Sequence, residues 1–592
     1  MARLFSSKLI VVCLIACSAD QASGSKPIAD LRADSNRDGE VRVDDDSDKG
    51  KLEWNARTGA IFLANIDDDS KRCKTSESDL TIAMCNDARD EIVNGEDDAR
   101  DLARLKTRPA PQPSDAVGRV VIDTPLAIGL VRLFKRTGPG AADFAVITNT
   151  TVFSHVELEA GIELAIEATD IVRDYEAWDG YVDIKLIVSS KEHGEATDTV
   201  RMRVAPVMTY HHLLPAERVW VSNNKTTGNR RMRDELATSC EAAGVEVQTL
   251  DVEDQWTQDF FEPAFMTMPG PDGTQHVVRV NYRSPNVFEP KKKETPLRPA
   301  GQVVFQLRGK DVAGVQQFDL AHNTAMDSLS SFGNLETVPP YEKDGVSYPF
   351  GRVLRGATES WFPDKAFARM VDAQLMQPAI AMDTSWMFVG HVDETVSFVK
   401  APTKRGWMLL VNDPTLAKKM LDDAVAAGEG DAPMFVDKSW VDFNTGVETP
   451  AETTISKTLE DKQIMQASAE AAVEVDNQLE ILKREIGLTD DEIIKVPYLH
   501  MVYGGKSVAY QPGTVNGIYL SDTRFAAPEP HGPIVGGRDI FKEALSEPLA
   551  KIGITVDWVE DWNAYHRVLG EVHCGSNATR RIPEARWWES GR

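Results

Sequence analysis

The sequence predicts an all-β sandwich followed by a large mixed α/β domain. Three observations carry that expectation. Short alternating runs fill residues 119–204, and helical and strand-like stretches interleave after Pro206. The chain has 592 residues, more than one hydrophobic core usually supports. The runs at 118–122, 127–134, 143–148, 151–158, 161–168, 181–188 and 197–204 are short and apolar or alternating, several with turn residues between them. That is the pattern of a β-sandwich, and Ala205-Pro206 marks its end. Beyond it, helical stretches at 416–427 and 455–486 alternate with strand-like runs at 395–399 and 407–411. The long helical stretch stops at Gly487. A new helical start is expected at Thr489, with Glu492 completing a capping box. Residues 207–592 form one α/β domain or two smaller ones, and no internal repeat is visible. Residues 109–113 make a short Pro-rich linker.

Composition narrows the function. Apolar residues are 42% and charged residues 27%, as in ordinary globular chains. The net charge is −27. A binder of phosphate backbones carries a basic surface, so nucleic acid is not an expected partner. An acidic surface suits cationic substrates and metal ions, and it also serves plain solubility.

The first residues carry an export signal. Arg3 and Lys8 precede an apolar run at 9–16 that is too short to span a bilayer. The run ends Leu14-Ile15-Ala16-Cys17-Ser18, which resembles a bacterial lipoprotein signal with Cys17 as the lipidated residue. An ordinary cleaved signal ending among the small residues at 22–25 is the other reading. Either way residues 1–27 are signal and linker, and the mature protein is expected to be exported, membrane-anchored or secreted. Of six cysteines, Cys13 and Cys17 fall in the signal. In an exported chain Cys73 and Cys85 are close enough in sequence for a disulfide. Cys240 ends a helical stretch and is expected to be a buried, inert thiol. Cys574 has no obvious partner.

Two acidic clusters suggest hard cations. Residues 34–48 hold seven acids. Asp34, Asn36 and Asp38 fall at positions 1, 3 and 5 of a calcium loop, with Gly39 at 6 and Asp45 at 12. A solvated acidic loop is the competing reading. Further on, Asn65, Asp67 and Asp69 alternate after a strand-like run, so their oxygens can converge. Asp98 and Asp101 lie one helical turn apart and share a face.

Four more clusters hold reactive groups: Asp254-Gln255-Trp256-Thr257-Gln258-Asp259 with Glu262; Ser331-Phe332-Gly333-Asn334-Leu335-Glu336; Gly390-His391-Val392-Asp393-Glu394; and Gly570-Glu571-Val572-His573-Cys574-Gly575. Read as a strand, His391 and Asp393 would share one face. Each cluster alone is weak. Together they supply a thiol, an imidazole and two carboxylates.

In order and in content these clusters closely resemble the protein-arginine deiminases. The likeness runs from about Asp34 to Trp587-Trp588, without a counterpart of the N-terminal cupredoxin-like domain of the vertebrate enzymes. It implies an immunoglobulin-like middle domain at 28–206 and a pentein catalytic domain at 207–592, a five-bladed α/β-propeller. It implies calcium-dependent conversion of peptidyl-arginine to citrulline. Asp259 and Asp393 would bind the substrate guanidinium bidentately, Cys574 would attack its central carbon, and His391 would serve as acid and then base. Trp256 would pack on the substrate stem, with His573 and Glu394 in support.

The resemblance also implies metal ligands. Gln258, Glu262, Glu336 and the carbonyls of Phe332 and Leu335 match one calcium site beside the cleft. Asn65, Asp67, Asp69, Asp98 and Asp101 match middle-domain sites. A second catalytic-domain site is not kept, because Phe260, Arg283 and Val287 stand at its positions. Two arginines that hold the substrate backbone in the family fall at Asn286 or Phe288 and at Val568, with Arg567 as a neighbouring substitute. The substrate is thus expected to be an arginine-containing protein or peptide. A deiminase of free arginine or another small guanidine, and a non-catalytic calcium-binding surface protein, are the competing readings.

Overall fold

The computed structural model describes residues 26–75, 78–442 and 445–592. The signal segment, with the lipidation of Cys17 and the export it implies, lies outside the described residues. No described helix is long and apolar enough to cross a membrane.

Two five-stranded sheets open the described chain. One orders Leu31–Ala33, Ala103–Thr107, Glu163–Ala168, Val131–Arg136 and Phe144–Ile147; the other orders Ala60–Phe62, Gly194–Val204, Tyr181–Ser190, Val117–Ile122 and Phe153–Ser154. Alternate residues of Tyr181–Ser190 are buried, the period that a sheet with one covered face demands. Leu31, Phe62, Leu164, Ile166, Val182 and Ile184 meet in one core. The run at 151–158 is a correction. Only Phe153–Ser154 is strand, and His155–Ala160 is a helix capped reciprocally by Ser154 and Glu157. The apolar alternation there concealed a capping box.

Beyond residue 206 five small sheets share one scheme. A central strand pairs antiparallel on one side and parallel on the other. Ala216–Ser222 lies between Ser576–Arg580 and Glu246–Leu250. Gln275–Arg283 lies between Phe261–Pro269 and Val312–Val315. Arg352–Gly356 has Leu335–Val338 and Ile380–Met382, and Trp407–Asp413 has Val396–Lys400 and Ile493–Pro497. Arg524–Pro528 has Ile518–Ser521 and Thr555–Val559. Helices bridge each parallel pair, as a parallel crossover requires. This fivefold repeat corrects the sequence reading, which found none. Its units differ in length and share no residue pattern. The strand at 576–580 closes the set by returning to the strand at 216–222.

Two boundaries also differ. The stretch at 455–486 is two helices, Ile455–Glu460 and Lys462–Ile486, because Asp461 stops one and caps the next. The start at Thr489 has its capping box with Glu492 but yields a single 3₁₀ turn before a strand.

Candidate active site and metal centres

Each unit offers its site residues just before its antiparallel outer strand. Asp259 precedes Phe261–Pro269, Phe332 and Gly333 precede Leu335–Val338, and Asp393 precedes Val396–Lys400. Asn516 precedes Ile518–Ser521, and Cys574 precedes Ser576–Arg580. The repeat thereby brings five sequence-distant segments to one cleft.

Local chemistry fixes each segment. Asp254 accepts from the backbone N–H of Trp256 at 3.0 Å, an Asx turn that starts the short helix Thr257–Phe260. The N–H of Gln258 donates to the carbonyl of Cys574 at 3.2 Å, tying the Asp259 helix to the Cys574 backbone. His391 and Asp393 do not lie on a strand. Val392–Glu394 is a 3₁₀ turn whose Glu394 accepts from the N–H of His391 at 2.8 Å. Gly333 lies under both: a Cβ there would come 2.5 Å from His391 Nδ1 and 3.0 Å from Asp393 Oδ2.

Cys574 is buried, with Sγ 3.9 Å from Asp393 Oδ2 and 3.4 Å from Asn516 Oδ1. Burial first, then Asp393 and Asp259, hold its thiol well above the ordinary cysteine range. Asn516, absent from the sequence reading, also donates to the carbonyl of Asp393 at 3.1 Å. His391 Nε2 lies 2.8 Å from the carbonyl of Ser328, so Nε2 carries a proton. Its Nδ1 is buried without a hydrogen-bond partner, 3.9 Å from Asp259 Oδ1.

The two carboxylates are each half engaged. Asp393 Oδ2 meets His573 Nδ1 at 2.9 Å, while its Oδ1 is buried and unpaired. Asp259 Oδ2 accepts from Arg298 Nη1 at 3.0 Å. In both aspartates the oxygen engaged by a protein group is Oδ2. Arg298 was missed by the sequence reading. Its Nε and Nη2 fork onto Asp254 at 2.6 and 2.9 Å. Arg298, Trp256, Asp259, Asn286 and Phe288 line an outer cavity of about 590 Å³. A second, inner cavity is lined by Glu394, Asn516, Gly570 and Cys574. Trp256 stands at their boundary, since a Cβ on Gly570 would meet its ring at 2.2 Å. Arg567 is not among the lining residues of either cavity; it pairs with Glu448 at 2.7 Å.

Part of the oxygen set expected beside the cleft lies together. Gln258 Nε2 lies 3.0 Å from Glu262 Oε2 and 3.2 Å from the carbonyl of Phe332. The amide's two ends are interchangeable by a flip, so its oxygen can face the same point. Glu336 Oε1 is buried and unpaired. Burial, and then the Glu336 charge, push the Glu262 carboxyl above its ordinary range. Those donors fit a hard cation. The neighbouring second position does not. Arg283 is fully buried and occupied by Asp79 at 2.6 Å and Gln316 at 2.8 Å.

In the N-terminal part, Asp67, Asp69 and Asp101 place oxygens within 4.8 Å of one another. Both Asp67 oxygens and Asp101 Oδ2 are buried and unpaired. Burial pushes Asp69 up to about 6 and raises Asp67 and Asp101 further. Asn65 binds Asp98 at 2.7 Å alongside. Asp311 and His276 join Asp101 from the catalytic part, which the local spacing of the acids did not foretell. In the first acidic loop Asp34 accepts from the N–H groups of Asp38 and Gly39 at 3.0 and 2.9 Å. Asn36 donates to Asp38 at 2.9 Å. Asp45 is a correction: it is exposed and turned to Ser47 at 2.6 Å. The buried carboxylate beside Asp34 is Asp48, whose Oδ1 has no hydrogen-bond partner. Cys73 and Cys85 form the disulfide. Cys240 is buried, its thiol pushed up to about 12 by burial.

Comparison with known proteins agrees with this geometry. The family model described as protein-arginine deiminase (PAD) matches residues 195–589. Protein-arginine deiminase type-4 of Rattus norvegicus is 28% identical over 561 residues, 90% of this chain and 78% of that one. Protein-arginine deiminase type-1 of Homo sapiens is 27% identical over 591 residues, 94% and 82%. Among solved structures, C. jejuni agmatine deiminase aligns at 11% identity and a TM-score of 0.33, covering 64% of this chain and 98% of that one. That likeness is too slight to argue from. With its matched segment spanning the five-unit region and the cleft at its centre, the chain belongs to the protein-arginine deiminase family.

Proposed function

We propose that this protein converts peptidyl-arginine and water to peptidyl-citrulline and ammonia through Cys574. One observation carries the reading. Asp259, the pair His391 and Asp393, and Cys574 come from three different units yet lie together, with Cys574 Sγ 3.9 Å from Asp393 and His391 Nδ1 3.9 Å from Asp259.

A substrate guanidinium entering past Trp256 is held by one oxygen each of Asp259 and Asp393. Its charge offsets the two carboxylates that keep Cys574 protonated and so favours the thiolate, the thiol proton passing to His391 Nδ1. Sulfur adds to the central carbon. The tetrahedral adduct expels ammonia, which takes its proton from His391 Nδ1. The same nitrogen then removes a proton from water, and hydroxide attack on the thiouronium releases citrulline and the thiol. Gln258, Glu262, Glu336 and the carbonyls of Phe332 and Leu335 would hold calcium. Bound there, the ion would offset the charges of Glu262 and Glu336 and fix the Asp259 helix against the Gly333 turn.

The architecture supports finer readings in the same scheme. The five sheets are blades of one pentein α/β-propeller at 207–592, and the two N-terminal sheets are an immunoglobulin-like calcium-binding domain at 28–206. Export through residues 1–27, with lipidation at Cys17, is tested by fractionation. Cys17→Ser should move the protein out of the membrane fraction, and an unchanged distribution would refute the anchor.

The decisive assay compares an acyl-arginine amide with free arginine, each in calcium and in chelator. Citrulline from the amide in calcium alone is the expected result. Faster turnover of free arginine would replace the peptidyl reading, and full activity in chelator would remove the metal from it.

A further inference from the structure

Arg298 stands where a structural arginine would not be placed. Its side chain is only 6% exposed, yet it lines the outer cavity instead of the core. The chain fixes it from both sides. Its N–H donates to the carbonyl of Asn286 at 2.9 Å, and its own carbonyl accepts from Arg283 Nη2 at 3.2 Å. The guanidinium then bridges two carboxylates. One edge forks onto Asp254, and Nη1 reaches Asp259 Oδ2. The Phe288 ring lies 5.3 Å from its central carbon. Only a planar five-donor group spans both carboxylates in this way; a lysine ammonium cannot.

Resting on the deiminase reading above, we propose that Arg298 is a positioning residue for the reaction. It holds Asp259 rotated so that Oδ2 is engaged and Oδ1 faces His391 and the entering guanidinium. Asp254 holds Arg298 in that pose. His573 does the same for Asp393, engaging Oδ2 and leaving Oδ1 free. The site thus reads a guanidinium through two oxygens, each oriented by a protein group that engages the other oxygen of its carboxylate. Such an arrangement suits a monosubstituted guanidine, whose N–H groups differ in direction, and it discriminates against small shifts of the substrate plane.

The test uses full-length protein. Arg298→Gln should lower kcat/KM for an acyl-arginine amide about 100-fold, with kcat itself reduced. Arg298→Lys should recover part of the rate and little of the geometry. Asp254→Asn should behave like a weaker Arg298→Gln, and the double variant should be no worse than Arg298→Gln alone. Calorimetric binding of the same amide to Cys574→Ala, with and without Arg298→Gln, reads the grip on the guanidinium without turnover. Equal affinity in both, with kcat/KM unchanged, overturns the role of Arg298. Weaker binding with Arg298→Gln in a protein whose wild type makes no citrulline would instead overturn the deiminase reading. A fall in thermal stability with binding and kcat/KM unchanged would make Arg298 structural only.

Discussion

Arg283 donates to Asp79 across 2.6 Å, and both side chains are wholly buried. Asp79 also accepts from Gln302 Nε2 at 3.0 Å and from the N–H of Leu297 at 3.3 Å, and its own N–H donates to the carbonyl of Glu294 at 2.8 Å. One aspartate from the N-terminal part thereby fastens the segment that carries Arg298. Removing a single partner strands a buried charge, which costs about 3–5 kcal/mol. Asp79→Ala is expected to lose that much in urea denaturation. Asp79→Leu combined with Arg283→Met should recover most of it, since neither charge then remains. A loss below about 1 kcal/mol in the single variant would show that the pair is not the fastening.

Asp79 begins the helix Asp79–Ala83, which the Cys73–Cys85 disulfide encloses. Closing a loop of this length stabilises a fold by about 3 kcal/mol through the unfolded chain. Cys73→Ser with Cys85→Ser should therefore lower the melting temperature, and reducing agent should lower that of the parent alone. Equal melting with and without reductant in the parent protein would contradict this. Cys240 is too deeply buried, and its thiol too far raised, to complicate the comparison.

Much of the cleft was legible because its clusters are local. Asp259, His391, Asp393 and Cys574 sit in short motifs, and the structure gathers them. The parts that escaped depend on distance. Arg298 meets Asp259 across 39 residues and Asn516 meets Cys574 across 58, with no motif around either. The fivefold repeat was also hidden, because it lives in strand pairing and not in residue identity. Once the pairing is known, Asn516 occupies in its unit the place that Asp259 and Cys574 occupy in theirs. The sandwich strands were readable from period-2 alternation, but 151–158 misled because a capping box interrupts an apolar run. Arg567 looked like a replacement by position alone, whereas an ion pair with Glu448 claims it.

Stability should fall as pH rises through neutrality. Burial first raises Glu394 to about 7 and Glu571 to about 8, from ordinary values near 4.5. Between the ordinary value and the raised one the folded chain binds more protons than the unfolded chain. Unfolding free energy then decreases with pH. The contribution is fully present below about pH 4.5 and is lost as pH passes about 7 for Glu394 and about 8 for Glu571. Denaturation midpoints in chelator at pH 6 and pH 8.5 check the sign. Glu571→Gln should flatten the slope, and a midpoint that rises with pH in its presence and absence alike would exclude these glutamates as the cause.

Asn516 supplies the last prediction, and it concerns the nucleophile directly. Its Oδ1 accepts from the Cys574 thiol at 3.4 Å and its Nδ2 donates to the carbonyl of Asp393 at 3.1 Å. The carbonyl of Asn516 accepts from the N–H of His573 at 3.0 Å. One amide thus sets the distance between sulfur and the Asp393 segment. Misplacing a reacting atom by about 1 Å costs about 100-fold in rate, so Asn516→Ala should reduce kcat by about that factor with a smaller change in KM. The thiol's pKa separates positioning from simple collapse of the fold. Because Asp393 is the first charge after burial to raise it, Asp393→Asn should speed alkylation of Cys574 by iodoacetamide at a given pH. Asn516→Ala should slow turnover while leaving the pH dependence of alkylation close to the parent's. Full kcat in Asn516→Ala would mean that the backbone alone, through the Gln258 N–H to Cys574 carbonyl contact, is enough to aim the sulfur.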